Sequence, residues 1–275
     1  MPQPSHPIIT LTTDFGIKDW YVAAMKGVIF KICPDCIIID ISHEVPKFNI
    51  LAGAFLIYTA AISFPKDTIH VGVIDPGVGT QREPIVIKTN HGLFVGPNNG
   101  LFSLLLRFYK LLQCHVIENR SFMLDNVSFT FHGRDIFAPA AAHLARGRHI
   151  EDVGPALSKI KLLENISPAF SKDCISGIVL YIDSFGNVIT NIHESDIRKL
   201  NLNYGDKILL EIADKELTIP FYPTFAYVQQ GDFIALIGGS GFLEVDANLT
   251  SASEKLKIKI GDVIKIRKLE QGESV

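Results

Sequence analysis

The sequence predicts an α/β domain built on a central, mostly parallel sheet, followed by an all-β barrel domain. In the first half of the chain, short apolar runs alternate with segments of helical periodicity, the pattern of a sheet covered on both faces. From Ile175 onwards, short strand-like runs follow one another across Gly, Asp and Asn turns. Between Arg146 and Asp173 both patterns fade, as is typical of a linker. We therefore expect an N-terminal domain at 7–165 and a C-terminal domain at 172–275.

The first five elements follow from apolar periodicity. Strands are expected at 7–13, 36–41 and 70–74, because each is a short apolar run that contains β-branched residues. Helices are expected at 20–32 and 50–64, where apolar residues recur at helical spacing, and a proline ends the second of them. The order of strand, helix, strand, helix and strand favours a parallel arrangement.

A hairpin and two more helices complete the predicted N-terminal domain. Residues 84–88 and 93–95 are the strands of the hairpin. A turn rich in Gly and Asn then leads into an amphipathic run, predicted to be helical, from Leu101 to Leu112. Further on, Phe129 opens a short aromatic strand, and a helix of small residues follows it to about Ala142.

Seven short strands are predicted in the C-terminal domain, and their close spacing favours a barrel or sandwich. They are expected at 175–181, 188–192, 207–212, 216–219, 233–237, 243–245 and 263–266.

Composition excludes several classes of function. The formal net charge is −3, and no basic run is present to neutralise nucleic-acid phosphates. No apolar stretch reaches the roughly 18 residues that span a bilayer, and the first ten residues lack the pattern of a secretory signal. We therefore expect a cytoplasmic protein with no nucleic-acid or membrane partner.

The four cysteines are too few for a disulfide scaffold in 275 residues. Cys33 and Cys36 have CxxC spacing, but no second pair completes a zinc site and no helix opens after them. Buried structural thiols are the expectation, and no metal or cofactor is predicted.

The stretch from Val71 to Pro84 contains the first candidate site. Its buried strand ends in Asp75, and in open α/β sheets ligands bind at the carboxyl ends of strands. Gly77 and Gly79 allow tight turns, so Arg82 can fold back onto Asp75 through a two-pronged hydrogen bond. A purely structural Asp–Arg pair remains the alternative at this point.

Six segments, read together, resemble one family, the S-adenosylmethionine (SAM) hydrolases, or SAM hydroxide adenosyltransferases, which are related to the fluorinase and chlorinase enzymes. They span nearly the whole chain in the order of the family. The segments are LTTDFGIKDWYVAAMKG (11–27), VGVIDPGVGTQR (71–82), FVGPNNGLFS (94–103), TFHGRDIFAPAAAHLA (130–145), YIDSFGNVITNI (181–192) and IGGSGFLEV (237–245).

The resemblance implies a homotrimer whose subunits each have an α/β domain and a β-barrel domain. It implies ligand sites at the subunit interfaces, between the N-terminal domain of one chain and the C-terminal domain of its neighbour. The implied reaction is attack of water or hydroxide on the ribose C5′ of SAM, which releases adenosine and L-methionine. SAM is then the substrate, and no cofactor is implied.

In the N-terminal domain the resemblance assigns the family's Asp-Arg-His triad to Asp75, Arg82 and His132. It implies that Asp14 binds the two ribose hydroxyl groups and that the adjacent Phe15 also contacts the substrate. Two acceptor oxygens suit two adjacent hydroxyl donors. From the residues alone, Asp14 is almost as well explained as the cap of the following helix.

In the C-terminal domain the resemblance assigns Asp183 to the methionine amino group. Phe185 is then available for apolar packing, and Asn187 belongs to the same neighbour-supplied part of the site. Ser240 matches a position near the methionine carboxylate, and Tyr227 is placed on the same wall. Without the family, the segment that contains Asp183, Phe185 and Asn187 reads as a hairpin turn.

The chemistry of the triad suits this reaction. Displacement at C5′ expels a neutral thioether from a sulfonium, so the main tasks are in-line positioning and activation of a poor nucleophile. Asp75 can hold a water molecule or stabilise hydroxide, and Arg82 can orient Asp75. His132 is able to donate or accept a hydrogen bond near neutral pH.

Two departures from the family pattern are visible. The inserted loop of about two dozen residues that the fluorinase carries after its DPGVG segment is absent, which favours the hydrolase branch. Asn98 or Asn99 stands where the family often has Asp, and Gly239-Ser240 replaces the usual Asn-Ser. These replacements alter the region expected to hold the methionine end.

Three alternatives to SAM hydrolysis remain open. Halide transfer to give 5′-halo-adenosine would be favoured by an apolar pocket in place of the triad. A non-catalytic adenosyl-ligand sensor would be favoured by loss of a triad residue, and all three are present. A metal-dependent hydrolase would use His43 with Glu44, or His132 with Asp135, although neither spacing places three ligands on one face.

Overall fold

A six-stranded mixed sheet forms the centre of the first of two units in the computed structural model, which describes residues 6–171, 173–212 and 215–269. The units divide between Leu163 and Glu164. The strands of the first unit are β1 (Ile8–Thr13), β2 (Ile37–Ser42), β3 (Ile69–Val73), β4 (Pro84–Thr89), β5 (Leu93–Pro97) and β6 (Leu111–Val116). Their order is β2-β1-β3-β5-β4-β6; the first four strands are parallel, and β4 runs antiparallel to both of its neighbours, β5 and β6.

Helices cover both faces of this sheet, as the apolar pattern predicts. They are α1 (Tyr21–Ile32), α2 (Ile50–Ser63), α3 (Ser103–Phe108) and α4 (Ala138–Ala145), with short 3₁₀ turns at Arg120–Phe122 and Ile150–Val153. The first and last of these helices share a core cluster with Leu11 and Val71. On the other face α2 packs closely on β3, because Gly72 leaves room for Ile57. A Cβ at Gly72 would lie only 2.4 Å from the Cδ1 atom of Ile57.

Two predicted elements of this unit are wrong. Leu101 to Leu112 is not one helix, because α3 ends at Phe108 and Leu111 already belongs to β6. The leucine-rich run fits both the helical and the strand periodicity. Its second half forms a strand because β6 pairs with β4. No strand begins at Phe129. The chain there turns directly into a π-helical segment, Gly133–Phe137, that continues into α4.

Local hydrogen bonds explain why the segment before α4 needs no partner strand. The Asp135 carboxylate accepts the backbone N–H of Ser128, and the Asp135 carbonyl accepts that of Leu124. The Phe131 carbonyl accepts the N–H groups of Arg134 and Asp135. The backbone is therefore satisfied within the loop and the first helical turn.

The second unit is an antiparallel barrel that is nearly closed. Its strands are β7 (Ala169–Phe170), β8 (Cys174–Ile182), β9 (Val188–His193), β10 (Lys207–Ile212), β11 (Lys215–Pro220), β12 (Phe233–Ile237), β13 (Phe242–Ala247) and β14 (Val263–Lys268). The order is β11-β10-β14-β8-β9-β13-β12, with β7 added to β8. A bridge between Phe221 and Ala235 links the two ends of this order. Short helices α5 (Glu194–Ile197) and α6 (Ala252–Leu256), with 3₁₀ turns at Arg198–Leu200 and Phe225–Tyr227, complete the unit.

The cysteines of the described chain are free thiols. Cys33 and Cys36 are buried at the turn between α1 and β2, and burial raises the pKa of Cys36 to about 12. A thiol that stays protonated is a poor nucleophile and a poor metal ligand. Within the described residues, no helix combines the length and apolar character that crossing a bilayer requires.

Candidate functional site

The loop after β3 contains the first part of the site. Asp75 follows the last strand residue by two positions, at the carboxyl end of the parallel strands. Gly79 adopts a φ of +77°, and a Cβ at this position would lie 2.3 Å from the Phe129 carbonyl oxygen. The loop therefore packs directly on the backbone that leads to His132, and only glycine fits at the contact.

Asp75, Arg82 and His132 form a continuous chain of hydrogen bonds. The Arg82 Nε lies 3.0 Å from each carboxylate oxygen of Asp75, and its Nη2 lies 2.5 Å from Oδ2. The same Nη2 lies 2.7 Å from Nδ1 of His132. The side chains of Arg82 and Asp75 are 9% and 4% exposed, so this ion pair is largely shielded from water.

Arg82 fixes the protonation of His132. Because a guanidinium only donates, Nδ1 must be the acceptor, and the proton of the neutral ring is on Nε2. Burial, and then the charge of Arg82, lowers the pKa of His132, against smaller opposing effects of Asp75 and Asp135. His132 is thus a neutral hydrogen-bond donor at pH 7, rather than a second cation.

Asp14 lies at the end of the neighbouring strand β1 and does not cap a helix. The residue that precedes α1 is Trp20, and no side chain caps that helix. Instead, Asp14 Oδ2 accepts the backbone N–H of Phe48 at 2.8 Å, and the Asp14 carbonyl accepts a hydrogen bond from Lys47 Nζ. The capping alternative is therefore wrong. One carboxylate oxygen of Asp14, Oδ1, makes no hydrogen bond in the contacts described.

A cavity of about 390 Å³ collects these side chains. Asp14, Phe15, Asp75 and His132 contribute to its wall, and Arg82 lies behind Asp75. Among the wall residues that the sequence did not predict are Asp19, Tyr21, Lys47, Phe48, Val78, Thr130 and Phe131. The ends of β1 and β3, the loop before β4 and the loop before α4 thus bring together all five residues assigned to the N-terminal domain.

Phe48 is the least predictable of these wall residues. It adopts a φ of +63° although it has a side chain, and 69% of its surface is exposed. Such a conformation is unfavourable for a bulky residue and is often found at binding sites. The segment EVPKFN contains no sequence signal for it, since asparagine or glycine would be the expected residue in this region of backbone space.

In the second unit, the segment from Asp183 to Asn187 is a tight turn. Asp183 Oδ1 accepts the backbone N–H groups of Phe185 and Asn187, both at 2.9 Å, and Oδ2 accepts Asn187 Nδ2 at 3.0 Å. Phe185 is 77% exposed at the tip. The hairpin alternative therefore describes the backbone correctly, and the turn also leaves the aromatic ring of Phe185 accessible to a ligand.

Phe185 and Asn187 also line a recess of about 660 Å³, together with Phe225 and Leu249. Tyr227 is not among the residues that line this recess. It is exposed and stacks on Tyr222, with 4.5 Å between ring centroids. Ser240 lies in the turn between β12 and β13, and its Oγ is buried without a hydrogen-bond partner in the described chain.

The metal alternatives receive no support from this geometry. In the described ranges, no cluster of three or more His, Cys, Asp or Glu side chains is arranged to hold a metal ion. His43 lies between Thr13 and Asp40, and Asp135 is held by Arg134 Nε at 2.5 Å. These contacts hold the His43 and Asp135 side chains within the protein fold.

Comparisons with known proteins agree with the division of the chain into two units. Residues 9–154 match the family model described as the SAM hydroxide adenosyltransferase N-terminal domain, and residues 177–265 match the corresponding C-terminal domain. The (R)-S-adenosyl-L-methionine hydrolase of Methanocaldococcus jannaschii is 36% identical over 94% of this chain and 95% of its own. A fluorinase from Actinoplanes is 28% identical over 98% and 100% of the two chains. The crystal structure of an uncharacterized conserved protein from Thermotoga maritima superposes with a TM-score of 0.89 at 40% identity, covering 94% and 99%.

Proposed function

The chain belongs to the SAM hydroxide adenosyltransferase family, and from this membership and the geometry of the site we propose that it hydrolyses SAM to adenosine and L-methionine. The observation that carries the proposal is the hydrogen-bonded chain of Asp75, Arg82 and His132 at the wall of a cavity that also contains Asp14. Each assigned group has a task in the displacement at C5′.

The nucleophile is a water molecule held by Asp75. Its oxygen forms a bond to C5′ while the C5′–S bond breaks, and the electron pair of that bond neutralises the sulfonium. Methionine therefore leaves as a neutral thioether and needs no acid. The water proton passes to Asp75 and then to solvent. The Nε2–H of His132 can donate to the water oxygen and fix its direction of attack.

The charge distribution in the first unit suits a cationic substrate. Arg82 is neutralised by Asp75, and the lowered pKa of His132 keeps a second positive charge away from the sulfonium. A halide ion would meet the opposite situation, because the Asp14 carboxylate faces the same cavity, and the Asp75–Arg82 pair contributes its carboxylate rather than its guanidinium to the cavity wall. Water is therefore the nucleophile that this site favours, and no metal or cofactor takes part in the proposed reaction.

Asp14 binds the ribose hydroxyl groups in this proposal. Its Oδ2 is oriented by the N–H of Phe48, which leaves Oδ1 and the remaining lone pair of Oδ2 for two adjacent donors. Phe15 and Phe48 both contribute apolar side chains to the wall of the cavity. The role of Asp14 is therefore substrate binding rather than chemistry.

The second unit binds the remainder of the substrate in this proposal. The apolar recess that contains Phe185 and Asn187 has the size for an adenine ring, which can stack on the exposed aromatic side chain. Asp183 binds the methionine ammonium group, and the unpaired Ser240 Oγ binds the carboxylate. Tyr227 has no group of this site within its described contacts, so its part in binding rests on the resemblance alone.

We also propose a homotrimer in which neighbouring chains complete each site. Inactive Asp75→Ala and Asp183→Ala proteins should regain part of the activity when they are mixed and allowed to exchange subunits, because some hybrid interfaces then combine two intact halves. Absence of recovery after exchange has been verified by mass spectrometry would contradict shared sites. A cytoplasmic location also remains a prediction, and it is consistent with free thiols.

Hydrolysis in ¹⁸O-labelled water tests the proposed reaction directly. Attack at C5′ should place one ¹⁸O atom in the 5′-hydroxyl group of adenosine and none in L-methionine, as measured by mass spectrometry of both products. The Asp75→Ala protein is the matched control for contaminating activity. Formation of 5′-methylthioadenosine, or adenosine without label, would contradict the proposal.

A further inference from the structure

The turn that follows β1 carries Asp14 to the wall of the cavity, and residues 43–48 hold it there. This Asp14 turn, residues 14–16, lies beside the segment that follows the neighbouring strand β2. The backbone N–H of Gly16 donates to the His43 carbonyl at 2.7 Å. The same segment supplies both of the hydrogen-bond donors to Asp14 that are described above. The position of the Asp14 carboxylate therefore depends on how this segment is held.

A buried hydroxyl group makes a second connection between the segment and the turn. Thr13 is the last residue of β1 and is fully buried. Its Oγ1 accepts the backbone N–H of Phe15 at 3.2 Å and lies 2.8 Å from Nδ1 of His43. A hydroxyl that accepts the N–H two residues further on forms a local turn and fixes the peptide units in between. The Thr13 hydroxyl group thus fixes the backbone on both sides of Asp14.

His43 is buried between Thr13 and Asp40. Only 3% of its side chain is exposed, and its Nε2 lies 3.0 Å from Oδ1 of Asp40. The two atoms are close enough for electrostatic attraction, although they are not aligned as a straight hydrogen bond. The other oxygen of Asp40 lies 2.5 Å from Nζ of Lys26 on α1. A row of polar groups therefore runs from the surface of α1 to the turn that carries Asp14.

These surroundings assign the protons of the row. The Thr13 Oγ1 already accepts one N–H, so its own proton is free to donate to Nδ1 of His43. The ring proton is then on Nε2, where it faces the Asp40 carboxylate. In the opposite tautomer the lone pair of Nε2 would face that carboxylate, and the Thr13 proton would have no acceptor in the contacts described. The first arrangement is favoured because each donor then has an acceptor.

His43 therefore controls both ends of the Asp14 turn. Its Nδ1 holds the proton of the Thr13 hydroxyl, which directs a lone pair of that oxygen toward the backbone N–H of Phe15. Its carbonyl group holds the other end of the turn at Gly16. Neither His43 nor Thr13 is among the described residues that line the cavity. Any influence of the two residues on a ligand must therefore pass through the turn.

We propose that His43 is a positioning residue for the substrate, and that it directs the Asp14 carboxylate toward the ribose hydroxyl groups by holding the Thr13 hydroxyl. The proposal rests on the proposed function and extends it by a residue to which the resemblance assigns no role. Two hydrogen bonds from one carboxylate to two adjacent hydroxyl groups require precise placement, so a small displacement of the turn weakens binding. The chemical step at C5′ depends on Asp75 and should change little.

The same sheet contains a matched pair that lacks this connection. Thr10 Oγ1 lies 2.8 Å from Nδ1 of His70, and both residues are as deeply buried as Thr13 and His43. Thr10 and His70 are neighbours in the ladder between β1 and β3, and neither is among the described wall residues of the cavity. Loss of either threonine hydroxyl leaves a buried imidazole nitrogen without its partner. Thr10→Val therefore reproduces this cost in stability without a connection to Asp14.

Nucleoside binding separates positioning from stability. Adenosine is the probe with both ribose hydroxyl groups, and 2′,3′-dideoxyadenosine is the probe without them. In calorimetry with the full chain, Thr13→Val should weaken adenosine roughly 3–10-fold, the equivalent of about one hydrogen bond, and leave 2′,3′-dideoxyadenosine within about twofold. The KM for SAM should rise by a similar factor, while kcat should change by less than about twofold. Thr10→Val should lower the melting temperature but alter neither affinity.

Conservative variants test whether the hydrogen bond itself is responsible. Thr13→Ser keeps the hydroxyl group and should bind adenosine like the wild-type protein. At His43, asparagine and leucine have nearly the same shape, but only asparagine offers an oxygen that can replace Nδ1 as the acceptor. His43→Asn should therefore keep most of the adenosine affinity, and His43→Leu should show the adenosine-specific loss. Equal losses in these two variants would contradict the assigned hydrogen bond.

Three outcomes overturn the proposal. The first is wild-type protein that hydrolyses SAM but does not bind adenosine more tightly than 2′,3′-dideoxyadenosine. The second is that Thr13→Val and His43→Leu keep the wild-type affinity, weaken both nucleosides equally or do not fold, since their role would then be one of stability. The third is an adenosine-specific loss in Thr10→Val. An adenosine-specific loss in Thr13→Val of a protein that does not hydrolyse SAM would instead contradict the proposed function alone.

Discussion

Replacing Asp75 by asparagine separates catalysis from stability. The carboxylate accepts three contacts from Arg82, and both side chains are almost fully buried. An amide keeps the shape but turns one acceptor into a donor that faces the guanidinium. Removing one partner of a buried ion pair typically costs about 3–5 kcal/mol. At about 2–4 °C per kcal/mol for a unit of this size, the melting temperature should fall by roughly 6–20 °C.

The rate of the chemical step should fall much further than stability explains. A positioned group that holds and deprotonates the nucleophile contributes about 10²–10⁴-fold. Single-turnover measurements with excess enzyme, made well below the lowered melting temperature, report this loss in folded protein. SAM affinity measured by calorimetry should change less than tenfold, because Asp14 and the residues of the second unit hold the substrate.

Asp135→Asn is the matched control. Asp135 is also fully buried and paired with an arginine, since its carboxylate lies 2.5 Å from Arg134 Nε, but it does not line the cavity. This variant should lose a similar amount of thermal stability and keep its single-turnover rate within about tenfold. If Asp75→Asn is folded, binds SAM and hydrolyses it at the wild-type rate, the catalytic assignment is wrong. Equal rate losses in the two variants would favour a structural role for Asp75.

Three further predictions concern neighbouring groups. His132→Gln should lower kcat by about 10²-fold and remove the acid limb of the pH profile. Because folding lowers the pKa of His132, the free energy of unfolding of the wild-type protein should also decrease as the pH drops below about 6.5. Urea titrations of the variant should lack this part of the pH dependence. Asp14→Asn should raise KM for SAM with little change in kcat, and a loss confined to kcat would contradict a binding role. Incubation with SAM and molar chloride or fluoride should give adenosine only, and 5′-halo-adenosine as the main product, detected by chromatography, would overturn the preference for water.

Strand ends were the most predictable part of the site. The apolar runs before Asp14 and Asp75 locate both residues at the same edge of a parallel sheet, and the seven-residue separation of Arg82 from Asp75 permits their contact. The place of His132 does not follow from any such rule. It lies 50 residues beyond Arg82, in a loop whose path depends on the packing of Gly79 against Phe129, and only the family resemblance indicated it.

Other features were outside the reach of sequence patterns. The left-handed backbone of Phe48 is opposed by its own side chain, so its identity predicts the wrong conformation. The burial of Asp246 on β13 was not predictable for a related reason. Alternating polar residues on a strand predict a solvent-exposed face, yet Asp246 is buried, and burial is set by residues distant in sequence.

The fold by itself does not decide between water and halide as the nucleophile. Hydrolases and a fluorinase both match this chain along nearly its whole length, so the architecture is common to relatives with different names. The choice depends on a few side chains in the first unit. A halide must lose its water shell to attack, and only an apolar pocket without nearby negative charge lowers that cost. Asp75 lines the cavity wall with a carboxyl group that is paired with Arg82, so the pocket is polar at this point, and the same group is an acceptor for a water proton.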